Sequence, residues 1–279
     1  MKRFPPSIGL SHLDYETLSK LEAAIYRAAG GKQRLLSEFP RLLQEAVDFV
    51  IDPIVTARTK ISELDNVEKT FVGLKVEHYL RDFLDVPKGL RDLELDGVDV
   101  DVKNTVSATW MIPPETFRAE EPCLLIAIAD EQKQCWLGLI LARNQYLGSL
   151  AGNRDSKRSV TATGKANILW IAEGTQLPPS KWDGIDMNRL RELRKIKGGS
   201  KRAAIFFEEN LYNVVHRKVV ESLLFDQKDF MKRIRGNQGA RDILSPKGIR
   251  ILSGAYDKQE AKKHGHESLL IDQFVAVKA

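Results

Sequence analysis

The run DLELDGVDVDVKNT, residues 92–105, alternates polar and apolar side chains with a period of two. That period belongs to a β-strand, whose successive side chains point to opposite faces. Asp96-Gly97 interrupts the run where a two-residue turn fits, so it predicts a β-hairpin. On the second arm Val98, Val100 and Val102 share one face, and Asp99, Asp101 and Lys103 share the other. Two unbroken apolar runs follow, CLLIAIA (123–129) and WLGLILA (136–142), across the short polar connection EQKQ. Strands without alternation suit the middle of a sheet covered on both faces.

Such strands need helices to cover them. LDYETLSKLEAAIYRAA (13–29) has helical spacing and ends at Gly30-Gly31. Residues 33–51 form a second apolar-periodic segment, interrupted at Pro40 and ended before Pro53. NVEKTFVGLKVEHYLRDFL (66–84) is the clearest helix, with Val72, Val76, Tyr79, Leu80 and Phe83 as its apolar stripe and Asn66 as its cap. The expected class is α/β (α+β), with a helix-flanked, mixed β-sheet in the first half.

The stretch GSLAGNRDSKRS (148–159) is small, polar and basic, and divides the chain into domains at 1–150 and 151–279. Charge divides there too. Residues 1–150 hold 18 Lys+Arg against 23 Asp+Glu, while residues 151–279 hold 25 against 15. A basic half beside an acidic half suggests a polyanion-binding module joined to something else. In the basic half, residues 186–196, 201–210 and 213–225 read as helices, the last two as a helix pair compatible with a helix-turn-helix. A basic, glycine-containing segment, DFMKRIRGNQGARDIL, and a short strand, GIRILS, follow.

Several classes are set aside. The longest apolar run, residues 123–129, is far below the ~20 residues of a membrane helix. MKRFPPSIGL lacks the apolar core of a secretory signal. Cys123 and Cys135 lie near or in apolar runs and read as buried free thiols of a reducing, cytoplasmic protein, a single disulfide being the alternative. No phosphate-binding P-loop is present, so no nucleotide cofactor is expected. HGHE (264–267) reads as a polar loop, because no complementary set of ligands accompanies it.

The charged face of the hairpin carries the chemistry. Residues i and i+2 of a strand lie roughly 6–7 Å apart on one face, so Asp101 and Lys103 can serve one site. A further carboxylate, Asp92 or Glu94, comes from the other arm. Paired carboxylates are hard oxygen ligands for Mg²⁺, and a lysine beside them can hold water or offset phosphate charge. That is what phosphodiester hydrolysis needs. Asp92, Asp101 and Lys103 fit the D-x8-D-x-K form of the PD-(D/E)xK nuclease signature. Alternation of this kind also marks half-buried strands with a solvated charged face. Glu77, beside the apolar stripe of the preceding helix, is either a further ligand or a surface glutamate.

The order and wording of the segments resemble the NaeI-type restriction endonucleases. The pieces are VGLKVE (72–77), DLELDGVDVDVK (92–103), WMIPPE (110–115), CLL (123–125), NRDSKRS (153–159), LPP (177–179), KRIRGNQGAR (232–241) and SPKGIRIL (245–252). The resemblance implies a homodimeric, Mg²⁺-dependent type II endonuclease that cuts double-stranded DNA and leaves 5′-phosphate ends. It places Glu77, Asp92, Asp101 and Lys103 in the catalytic centre, with Glu77, Asp92 and Asp101 holding the metal. It makes the second half a helix-turn-helix, winged-helix-like DNA-binding domain that takes a second copy of the site. Arg217, Lys218, Lys232, Arg233, Arg235, Arg241 and Lys247 are the candidate DNA contacts. A helix-turn-helix regulator without catalysis, and a repair or nicking nuclease of the same fold, are the alternatives.

Overall fold

The structure is a computed structural model, and it describes residues 4–51, 53, 56, 58, 60–107, 109–149 and 155–279. It divides into two compact units, Met1–Ile51 with Lys60–Pro179, and Asp52–Thr59 with Ser180–Ala279.

The first unit opens with three helices, α1 (Tyr15–Ala28), α2 (Lys32–Val50) and α3 (Asn66–Leu84). The helix expected to break at Pro40 runs through it. The proline withholds one backbone donor, but it is buried on the face that carries Leu35, Phe39, Leu43 and Val47, and packing outweighs the lost bond. α3 is capped one residue earlier than expected. Asp65, not Asn66, accepts from the Glu68 amide, and Glu68 returns the bond to the Asp65 amide.

The hairpin follows as β1 (Leu93–Leu95) and β2 (Val98–Thr105), antiparallel, with Leu95 opposite Val98. Both turn residues have positive φ, 49° at Asp96 and 76° at Gly97. A turn of this shape matches the twist of the arms. After β3 (Met111–Ile112) and α4 (Pro114–Arg118) come β4 (Pro122–Ala129) and β5 (Gln134–Leu141). Every residue of β4 is buried, as its unbroken apolar run required. β6 (Arg158–Ser159), α5 (Ala162–Lys165) and β7 (Leu169–Gln176) complete the unit. The main sheet runs β1-β2-β4-β5-β7, with β2 and β4 parallel and the other pairs antiparallel.

The division after residue 150 is therefore drawn too early. β7 pairs with β5, so residues 155–179 belong to the first unit. The stretch that suggested a boundary ends in β6, within that unit, and its residues 150–154, including Asn153 and Arg154, lie outside the described residues. Trp110, Trp136 and Trp170 meet the ring of Phe4 at centroid distances of 5.3, 5.3 and 5.2 Å, in the cluster that also takes Cys123, Leu125 and Ala127.

The second unit holds α6 (Met187–Arg194), α7 (Gly199–Glu209), β8 (Val214–His216), α8 (Arg217–Leu223), α9 (Phe230–Ile234), α10 (Ala240–Leu244), β9 (Ile249–Ser253), α11 (Lys258–Lys263) and β10 (Gln273–Lys278). The helix expected over 213–225 begins as a strand. Its β-branched pair Val214-Val215 aligns with Val275 and Phe274 of β10. The three strands form an antiparallel sheet in the order β8-β10-β9. Among the described residues no helix is long and apolar enough to cross a membrane, and Cys123 and Cys135 are both free and buried.

Candidate active site

The candidate site is assembled by the hairpin, helix α3 and the short helix α4. Asp92 stands at the entrance to β1, and its Oδ2 accepts from the amide of Val102 at 2.8 Å. This bond crosses from one arm to the other and fixes Asp92 against β2. Asp101 is 3% exposed, lies in parallel register with Cys123 of β4, and hydrogen-bonds the ammonium of Lys103 through Oδ1. Lys103 Nζ is also 3.7 Å from Asp92 Oδ2 and 3.0 Å from the Val102 carbonyl. One ammonium thus faces both aspartates. The charged face that the alternation proposed is real, and it turns inward.

Burial alone would push the Lys103 ammonium down, but Asp101 and then Asp92 outweigh it and hold the group above its ordinary value. Lys103 is charged at neutral pH. Glu77, on α3, feels the opposite balance. Burial, and then the charge of Asp92, push its carboxyl up to about 7, against the pull of Lys103. Two aspartates therefore face one ammonium, and burial together with their charge leaves Glu77 partly protonated near pH 7.

Surplus charge on hard oxygen donors is the condition that a divalent cation relieves. Among the described residues no group of three or more His, Cys, Asp or Glu side chains is arranged to hold a metal ion. A cation such as Mg²⁺ does not need three, since it takes one or two carboxylates and fills its other positions with water and phosphate oxygen. Asp92 and Asp101, with Glu77 behind them, fit that role. Glu94 stands opposite Asp99 in the hairpin register, nearer the turn than Asp92.

Asp99, and three residues that the sequence pattern did not single out, hold the site in shape. Thr116 donates its hydroxyl proton to Asp101 Oδ2 at 2.7 Å. Arg91, next to Asp92, makes a two-point ion pair with Glu121, Nε to Oε2 at 2.7 Å and Nη2 to Oε1 at 3.2 Å. Asp99 accepts from the Leu90 amide at 2.7 Å and sets the loop that leads into Asp92. The only local signal for Thr116 was the Pro113-Pro114 start of its helix; its contact with Asp101 spans 15 residues.

The candidate DNA contacts of the second unit fall into two groups. Lys232 and Arg235 are exposed, and among the described residues neither forms an ion pair. Arg217 is exposed over the Phe230 ring, 5.1 Å from its centroid, and Arg233 is exposed and bonded to Gln227 at 2.7 Å. Three others are engaged within the unit: Lys218 with Glu221 at 3.0 Å, Arg241 with Asp257 at 3.0 Å and Lys247 with Glu208 at 2.6 Å. Gly239 is needed for the turn itself, because a Cβ there would stand 1.9 Å from the Arg235 carbonyl oxygen.

Carboxylates gathered round a lysine on a helix-backed mixed sheet are groups that a nuclease can use, and the relatives define the class. A family model described as restriction endonuclease NaeI matches residues 36–278. The type II restriction enzyme NaeI of Lentzea aerocolonigenes is 34% identical over 222 residues, covering 76% of this chain and 68% of that protein. The chain belongs to the NaeI restriction endonuclease family, a family of site-specific endonucleases.

Proposed function

We propose that the protein is a type II restriction endonuclease that hydrolyses double-stranded DNA at a specific sequence, with Mg²⁺ held by Asp92, Asp101 and Glu77. The observation that carries this reading is the position of Lys103 Nζ, bonded to Asp101 and 3.7 Å from Asp92, with a raised Glu77 behind it.

When bound there, Mg²⁺ neutralises charge developing on the phosphate and lowers the pKa of water. The chain's own groups do the rest. Asp92 and Asp101 hold the cation on a strand pair fixed by the Val102 amide. Lys103, kept charged, orients the attacking water and offsets phosphate charge. Water oxygen attacks phosphorus and the 3′-oxygen departs, leaving a 5′-phosphate and a 3′-hydroxyl.

We read the second unit as a winged helix-turn-helix DNA-binding domain. The order α7-β8-α8-α9-α10-β9-α11-β10 and the sheet order β8-β10-β9 support it, as does the surplus of 21 basic over 13 acidic residues in 180–279. Symmetric cleavage of two strands calls for a homodimer, and binding of a second DNA copy by this unit would let one site activate cleavage at another.

The test is incubation with long unmethylated DNA, with Mg²⁺ and with chelator. Discrete Mg²⁺-dependent bands support the reading. A smear or nicks alone refute site-specific double-strand cleavage, and intact DNA on a substrate with several sites refutes the catalytic assignment.

A further inference from the structure

The two oxygens of the Asp101 carboxylate face different partners. Oδ1 meets Lys103, and Oδ2 meets the hydroxyl of Thr116 at 2.7 Å. Thr116 is 0% exposed, so this hydroxyl has no water to turn to. A hydroxyl has one proton to give, and here it goes to the carboxylate.

The hydroxyl is itself held from several sides. α4 begins at Pro114, directly after Pro113, where the ring presets the backbone for a helix. The amides of Thr116 and Phe117 both donate to the Pro113 carbonyl at 3.2 Å. The Thr116 carbonyl accepts from the Glu121 amide at 3.1 Å. Arg91 closes the frame, since it binds the Glu121 carboxylate and the Glu115 carbonyl at 3.2 Å while adjoining Asp92 in the chain. Without Thr116 the carboxylate could turn about its Cβ–Cγ bond and offer either oxygen to Lys103.

We propose that Thr116 is a positioning residue for the reaction: its hydroxyl fixes the plane of the Asp101 carboxylate so that Oδ1 is the oxygen offered to the cation and to Lys103. The proposal rests on the reading of Asp101 as a metal ligand. A purely packing role for Thr116 is the competing account, and the two part on whether the methyl or the hydroxyl matters.

The experiment uses Mn²⁺ alone, titrated into the full-length, DNA-free protein and followed by the electron paramagnetic resonance of the free ion. Thr116→Val keeps the shape and loses the hydroxyl; Thr116→Ser keeps the hydroxyl and loses the methyl. Thr116→Val should bind Mn²⁺ about 10–100-fold more weakly. Thr116→Ser should stay close to the parent protein. In cleavage assays Thr116→Val should lower kcat and leave KM for DNA unchanged. Mn²⁺ affinity within twofold of the parent in Thr116→Val would overturn the proposal. So would Thr116→Ser as weak as Thr116→Val, which would assign the effect to packing. If Thr116→Val does not fold, Thr116→Ser against Thr116→Ala decides, an equal loss in both refuting the hydroxyl's role. Asp101→Asn separates the two layers. Undiminished Mn²⁺ binding in Asp101→Asn would remove the ligand reading itself. Loss there with none in Thr116→Val would remove only the role of Thr116.

Discussion

Lys103 Nζ stands 3.7 Å from the Asp92 carboxylate while it hydrogen-bonds Asp101, so one ammonium ties the two arms of the hairpin at their charged ends. On the function proposed above, Lys103→Ala removes that charge from beside the reacting phosphate. Cleavage should fall at least about 10²–10³-fold, while binding to duplex DNA in chelator, followed by gel shift, should survive. Full cleavage by Lys103→Ala would remove the lysine from the mechanism.

Glu77 makes stability depend on pH. Its carboxyl is raised from an ordinary 4.5 to about 7, so between those values the folded protein keeps a proton that the unfolded chain has released. Its stabilising share is whole below pH 4.5 and is lost as pH rises to about 7. Glu77→Gln cannot ionise. In chelator it should be about 1–2 kcal/mol more stable than the parent at pH 8, after allowance for partial exposure, and no more stable at pH 4. Urea unfolding at the two pH values measures this. An equal difference at both would show that the carboxyl is not raised.

Phe4 is only partly buried, yet it touches Trp110, Trp136 and Trp170. The segment that carries it is tied down by the Trp170 indole donating to the Pro5 carbonyl at 3.0 Å. Phe4→Ala should cost about 1–2 kcal/mol and shift tryptophan emission to the red as water reaches the rings. Unchanged emission and stability would mean that the segment does not hold this place in solution.

Lys232 and Arg241 were equal candidates for DNA contact, but their surroundings set them apart. Lys232 is exposed, whereas Arg241 pairs with Asp257, which also accepts from the Ser253 amide at 2.9 Å. Lys232→Ala with Arg235→Ala should weaken DNA binding and lower the salt slope by about one for each lost phosphate contact, with thermal stability unchanged. Arg241→Ala should cost about 0.5–1 kcal/mol of stability. The reverse pattern would exchange their roles.

The most legible parts of this chain were those set by near neighbours. Asp96-Gly97 revealed the hairpin because both residues tolerate positive φ, and CLLIAIA revealed β4 because nothing in it wants water. The misread parts depended on distant partners. Strand β8 looked helical until β10, some 60 residues on, supplied its hydrogen bonds. The boundary at 150 failed because a small, polar stretch has the same composition inside a domain as between domains, and only the pairing of β7 with β5 tells them apart. The same holds at the site. That Asp92, Asp101 and Lys103 come together could be read from spacing along one hairpin. Thr116 could not, because only the fold brings its hydroxyl to Asp101.

The parallel seam between β2 and β4 has a consequence for how the site opens. Asp101 and Lys103 lie on an inner strand, joined on one side to the wholly buried β4. Their amides can exchange with solvent only when the core itself comes apart. Asp92 leads into β1, three residues long and at the sheet's edge, with a neighbour on one side only. That edge frays at far lower free energy. Half of the candidate site thus belongs to the core and half to a free edge, and on the function proposed above deuterium uptake at residues 93–95 should slow on addition of a divalent cation and DNA.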